Sequence, residues 1–180
     1  MAVFRFRLAT LLRLREAARD EKRSELAVAL RADAVLEERI AALEGGRSGL
    51  AVASGHAAQL IALHTLMQPG MEIVAARQLY GGSLNQFSHG FAKFDWHVKW
   101  ADCRDPESFR AALSDKTRAV FVESIANPGG IVTDIQAIAD IAHSAGVPLI
   151  VDSTFATPYL IRPFEWGADI ILHSATKFLG

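Results

Sequence analysis

Residues Val147–Gly180, VPLIVDSTFATPYLIRPFEWGADIILHSATKFLG, decide how this chain reads. Two apolar runs, Val147–Val151 and Ile170–Leu172, are short, rich in Val and Ile and bounded by Pro and Gly. Such runs predict buried strands of a parallel sheet. The first delivers Asp152 at its carboxyl end, and the second delivers His173, Ser174, Thr176 and Lys177. In an open α/β sheet, ligands bind outside the carboxyl ends of the strands.

One acid, two hydroxyls and one lysine arriving there together are the parts of a pyridoxal 5'-phosphate site. Lysine forms the Schiff base, the carboxylate pairs with the pyridinium nitrogen, and hydroxyls hold the phosphate. VDSTFATP followed by ADIILHSATKFLG resembles the Cys/Met-metabolism (trans-sulfuration) enzymes that use this cofactor, most of all their O-acetylhomoserine sulfhydrylase branch. The resemblance runs from about Ala34 to the last residue. It implies a transferase or lyase of methionine biosynthesis and cysteine metabolism. The implied fold is the mainly parallel α/β sheet of a fold type I large domain, and the implied substrate is a small amino acid.

Composition agrees with a folded domain and narrows its setting. Half the residues are hydrophobic and the formal net charge is -1, which argues against disorder and against a nucleic-acid partner. The single Cys103 has no partner for a disulfide and no companion for a metal site, so a reducing, cytoplasmic setting is expected. No run reaches transmembrane length and the start lacks a secretory signal, so no membrane partner is expected. Phe4–Asp20, FRFRLATLLRLREAARD, is Arg-rich like a mitochondrial transit peptide, but it lacks Ser enrichment and acids soon follow.

Residues 8 to 44 contain no Gly or Pro, and Leu8, Leu11, Leu12, Leu26, Leu30, Leu36, Ile40 and Leu43 mark an apolar stripe at helical spacing. This predicts a long amphipathic helix, or two, ending at Gly45-Gly46, with a packed stripe beneath a solvated charged face. Residues 1–45 are thus expected as a helical extension and 46–180 as a partial cofactor-binding large domain. The first thirty or so residues resemble instead the opening of the flagellar export protein J family. The alternative reading is therefore a helical export or interaction protein joined to an enzyme fragment. Beyond Gly49 the pattern alternates. Strands are expected at GLAVAS (49–54), MEIVAA (71–76), WHVKWA (96–101) and TRAVFVES (117–124), which with the first two make six. Helices are expected at 55–67, 81–94, 106–114 and 131–146, giving βαβ units and a parallel sheet.

Several candidate site residues lie outside the opening stretch. Ser54-Gly55-His56 sits at a helix start, where free N–H groups and the helix dipole favour a phosphate. Alone, it would be an ordinary helix start. The resemblance makes Gly55 and His56 phosphate ligands through their backbone, with Ser174 and Thr176 adding hydroxyls. It also lays Tyr80 and Thr154 against the cofactor ring and sets Asn127 near the phenolic oxygen, with Lys177 and Tyr80 catalytic. Residue by residue, other readings stay open: Tyr80 as a core tyrosine, Asn127-Pro128 as a turn, and Asp152 as the cap of a turn through Thr154. His64, His89, His97 and His143 lack ligand spacing, and no metal is expected.

Some family features have no counterpart in the sequence. A Tyr-x-Arg pair that reaches a neighbouring subunit's phosphate does not occur before Gly45. The family's substrate-carboxylate arginine and the strand beside GLAVAS both come after the lysine, and the sequence runs three residues past Lys177. The expectation is weak cofactor binding, no catalysis by these residues alone, and homo-oligomers in the complete family member.

Overall fold

A computed structural model describes residues 4–179, with backbone alone for 4–11 and 14. The chain divides into two compact units, one of Met1–Ala42 with Arg47–Ala51, the other of Leu43–Gly46 with Val52–Gly180.

The first unit is built on helix α1, which runs unbroken over Phe4–Glu44 and is therefore one helix. Its exposed Lys22–Glu25 and Arg23–Asp20 pairs at i,i+3 add little stability. The expected packed stripe is not observed, because Leu12, Leu26, Leu30, Leu36 and Leu43 are all exposed and only Ile40 is half-buried. The side chains of Leu8 and Leu11 lie outside the described residues. The physical reason is in the spacing. Between Leu12 and Leu26 the helix carries mostly Arg, Glu, Asp and Lys, so the leucines form no continuous apolar face. GLAVAS is not a strand either. The N–H of Ala51 donates to Glu37 Oε1 at 2.6 Å, so a side chain takes the group that a sheet ladder would have used.

The second unit is an α/β layer around five parallel strands: β1 (Glu72–Ala76), β2 (His97–Ala101), β3 (Thr117–Glu123), β6 (Leu149–Asp152) and β7 (Ile170–Leu172). Their order is β2-β1-β3-β6-β7. Every residue of β1 is buried, as are six of the seven in β3, which is why these strands read as unbroken apolar runs. In the middle of the sheet Phe121 pairs with Ala75 on one side and Ile150 on the other. Its ring meets Phe87 edge to face at 4.8 Å, and Phe87 stacks on Phe91.

Helices α2 (Gly55–His64), α4 (Pro106–Ala112) and α5 (Ile135–Ser144) start on side-chain caps from Ser54, Asp105 and Asp134. The expected helix over 81–94 is three short pieces: α3 (Gly81–Asn85), a π turn Gln86–Gly90 and a 3-10 turn Phe91–Phe94. The expected helix over 131–146 begins only at Ile135. Ile131–Val132 is instead β5, paired antiparallel with β4 (Ile125–Ala126) in a small hairpin. Asp134 accepts the Ala137 N–H, and that cap sets the true helix start. Among the described residues, no helix is long and apolar enough to cross a membrane.

Strand order places the ligand crevice. From β1 the chain steps outward to β2, then returns to the other side of β1 for β3, β6 and β7. The connections thus reverse direction between β1 and β3, and a crevice opens there at the carboxyl ends.

Candidate active site

The residues after β1, β3, β6 and β7, with the first turn of α2, surround one cavity of about 380 Å³. Gly55, His56, Tyr80, Asn127, Asp152, Thr154, Ser174 and Lys177 all line it. Thr176 is not in the wall, but its Oγ1 lies 3.1 Å from Ser174 Oγ.

At one end, Ser54 caps α2: its Oγ accepts the Ala57 N–H at 3.2 Å and its carbonyl accepts the Ala58 N–H at 3.0 Å. The N–H groups of Gly55 and His56 have no partner among the described hydrogen bonds. They stand at the positive end of the helix dipole, beside the two hydroxyls. A Cβ on Gly55 would come within 3.2 Å of Ser174 Cβ, so glycine lets these two corners close together.

Asp152 ends β6, half-buried, and its Oδ1 accepts the Thr154 N–H at 3.0 Å. The turn-capping contact foreseen for this acid is therefore present. Thr154 Oγ1 in turn accepts the Ser174 N–H at 2.8 Å and ties the turn after β6 to the turn after β7. Lys177 follows in that second turn with an exposed side chain. Behind it, His173 Nε2 is 2.5 Å from Glu44 Oε1, both side chains buried.

Tyr80 is half-exposed, and its ring lies 6.2 Å from that of His56. Gly82 controls their approach, since a Cβ there would sit 2.5 Å from Tyr80 Cε1 and 2.7 Å from His56 Nε2. Gly82→Ala is expected to displace both rings while changing unfolding free energy by less than about 1 kcal/mol, because alanine favours α3 as the contact is strained. Aromatic 13C shifts of Tyr80 and His56, measured beside a urea titration, test both halves of this prediction.

The residue missed by the sequence reading is Glu123. It ends β3 in the cavity wall, buried, and accepts the N–H of Tyr80 on Oε1 (2.7 Å) and that of Asn127 on Oε2 (2.9 Å). Burial pushes its carboxyl up, the two N–H bonds oppose this, and the charge of Asp152 adds to the rise, leaving it at about 7. A carboxylate at the carboxyl end of an apolar strand was the signal for Asp152, and it was present here too. Gln59 also lines the cavity, donating to Ser83 Oγ at 2.7 Å with its own Oε1 buried and unpartnered.

Unpartnered N–H groups with hydroxyls suit a phosphate, a strand-end acid suits a ring cation, and an amine suits an aldehyde. The donor set therefore fits pyridoxal phosphate. With its carboxyl-end crevice, the sheet matches the large domain of a fold type I enzyme. The structure of a putative O-acetylhomoserine (thiol)-lyase from Campylobacter jejuni, which carries N'-pyridoxyl-lysine-5'-monophosphate, superimposes with a TM-score of 0.80 at 37% identity, over 82% of this chain and 36% of that one. The profile of the Cys/Met metabolism PLP-dependent enzymes matches residues 29–180, and the chain belongs to that family. It is 49% identical over 146 residues to O-acetyl-L-homoserine sulfhydrylase of Leptospira meyeri, 81% of this chain and 33% of the relative. It is 43% identical over 145 residues to L-methionine gamma-lyase of Pseudomonas putida, covering 36% of that protein. The chain thus spans about a third of the length of these relatives.

Proposed function

We propose that this chain is the pyridoxal 5'-phosphate-binding part of an O-acetylhomoserine sulfhydrylase-like enzyme. The observation that carries the reading is the convergence on one cavity of the β6 acid, the amine after β7 and the unpartnered N–H groups of α2. Gly55 and His56 bind the phosphate through backbone N–H groups, with Ser174 and Thr176 adding hydroxyls. Asp152 would keep a proton on the ring nitrogen, and Tyr80 and Thr154 would lie against the ring. Asn127 orients the ring through its phenolic oxygen. When bound, the cofactor supplies an electron sink for charge developing at the substrate α-carbon. Lys177 Nζ is the amine that holds the cofactor and the group that moves protons at the substrate.

A sulfhydrylase exchanges the acetoxy group of O-acetylhomoserine for a thiol. Identity of 49% to a sulfhydrylase against 43% to a lyase favours that chemistry over elimination. A polypeptide of these 180 residues is expected to bind the cofactor weakly and to show no turnover, in line with its share of the relatives' length.

The test is borohydride reduction of the protein mixed with pyridoxal phosphate, followed by peptide mapping. The adduct is expected on Lys177 and is lost in Lys177→Ala. Label confined to Lys22, Lys93, Lys99 and Lys116 would sink the reading. Sulfide-dependent consumption of O-acetylhomoserine by the same sample would overturn the expectation of inactivity.

A further inference from the structure

Glu123 stands at the point where the strand order reverses, and both of its oxygens are occupied by backbone donors from different loops. Tyr80 belongs to the loop after β1, and Asn127 to the turn between β4 and β5. No ion pair to Glu123 is formed among the described residues. The side chain is 6% exposed, so the two N–H groups take the place of water around the carboxylate.

We propose that Glu123 is a positioning residue of the cofactor site: one carboxylate fixes the Tyr80 loop and the Asn127 turn together, so both shift when it stops accepting. What Tyr80 and Asn127 touch rests on the cofactor reading above, whereas the clamp is a property of the free protein.

The charges of Asp152, on neighbouring β6, and of this carboxylate repel, Cys103 after β2 feels the carboxylate's charge, and His56, Tyr80 and Lys177 line the same cavity. With the carboxyl at about 7, the clamp is closed above that pH. As pH falls through it, a proton on one oxygen sets a donor against an N–H, the clamp opens, and the Tyr80 loop and the Asn127 turn both shift. A cationic ring nitrogen beside Asp152 would remove the like-charge repulsion and lower the pKa of Glu123. Binding would then expel the proton, so the cofactor binds more tightly above pH 7 than below it.

The experiment follows the backbone amide resonances of Tyr80 and Asn127 from pH 5.5 to 8.5 in the cofactor-free protein. Both are expected to titrate with one shared midpoint near 7, to lose that titration in Glu123→Gln, and to titrate at a lower midpoint in Asp152→Asn, where Glu123 is intact. Separate midpoints, or a titration that survives Glu123→Gln, would overturn the clamp. A second arm measures pyridoxal phosphate affinity at pH 6 and pH 8 by tryptophan fluorescence. The wild type is expected to gain about tenfold more than Glu123→Gln between the two pH values, the cofactor's own ionisation cancelling in the comparison. An equal gain in both proteins removes the positioning role. Absence of binding with the amide titration intact removes the cofactor reading and leaves the clamp standing.

Discussion

Phe121→Ala is expected to lower the unfolding free energy of the sheet unit by about 3–5 kcal/mol. Phe121 is fully buried on the central strand, between Ala75 and Ile150, with its ring edge against Phe87 at 4.8 Å. Truncation removes a large apolar side chain from β3, where strands on both sides oppose collapse, and it also ends an aromatic contact. Urea unfolding followed by the fluorescence of Trp96, Trp100 and Trp166 reads this unit alone, because all three lie within Val52–Gly180. A loss below about 1 kcal/mol would mean that the Phe87–Phe91–Phe121 stack is not packed as described. The site should respond as well. Phe121 and Glu123 are two apart on one strand and point to the same face, so a hole under the first loosens the second.

What the sequence disclosed and what it hid have separate physical causes. The buried parallel strands were legible because Val and Ile runs punctuated by Pro and Gly have few other uses, and MEIVAA, TRAVFVES and the two runs after Gly146 all became strands. The β4–β5 hairpin was not, since two-residue strands carry no period. GLAVAS has strand-like composition, but the Ala51 N–H is claimed by Glu37, fourteen residues earlier, a contact that no local pattern reveals. The leucines of α1 fell at helical spacings without forming a covered face. Asp152 and Lys177 stood out as polar residues at strand ends. Glu123 obeyed the same rule, but Asn127-Pro128-Gly129-Gly130 just beyond it is itself a turn signal, and no spacing reveals that the acid accepts the Asn127 N–H.

Glu123→Gln is expected to match the wild type in stability near pH 4 and to exceed it at pH 8 by something on the order of 3 kcal/mol. The carboxyl stands at about 7 in the folded protein against 4.5 for a free glutamate. Between those values the folded state holds a proton that the unfolded chain has released, so the contribution of this group is fully present below the lower value and is lost as pH rises through about 7. Glutamine imitates the protonated acid, including its ability to satisfy only one of the two N–H groups well, and does not titrate. The difference between the two proteins in urea unfolding at pH 4 and pH 8 isolates this group, because every other titration is shared. A constant difference across the range would show that Glu123 is not held above its ordinary value. Glu72 supplies the contrast: burial works to raise its carboxyl too, but the Ser114 hydroxyl, the Lys99 ammonium at 2.9 Å and the Thr117 hydroxyl outweigh it, and its pKa is lowered. Burial of a strand-end acid is therefore compatible with stability when a cation is provided. At Glu123 the described ion pairs include no cation, only two backbone donors from cavity loops and a second acid nearby. An isosteric neutral residue would make a more stable protein at pH 8, so the acid is better explained by the loops it holds than by the sheet it ends.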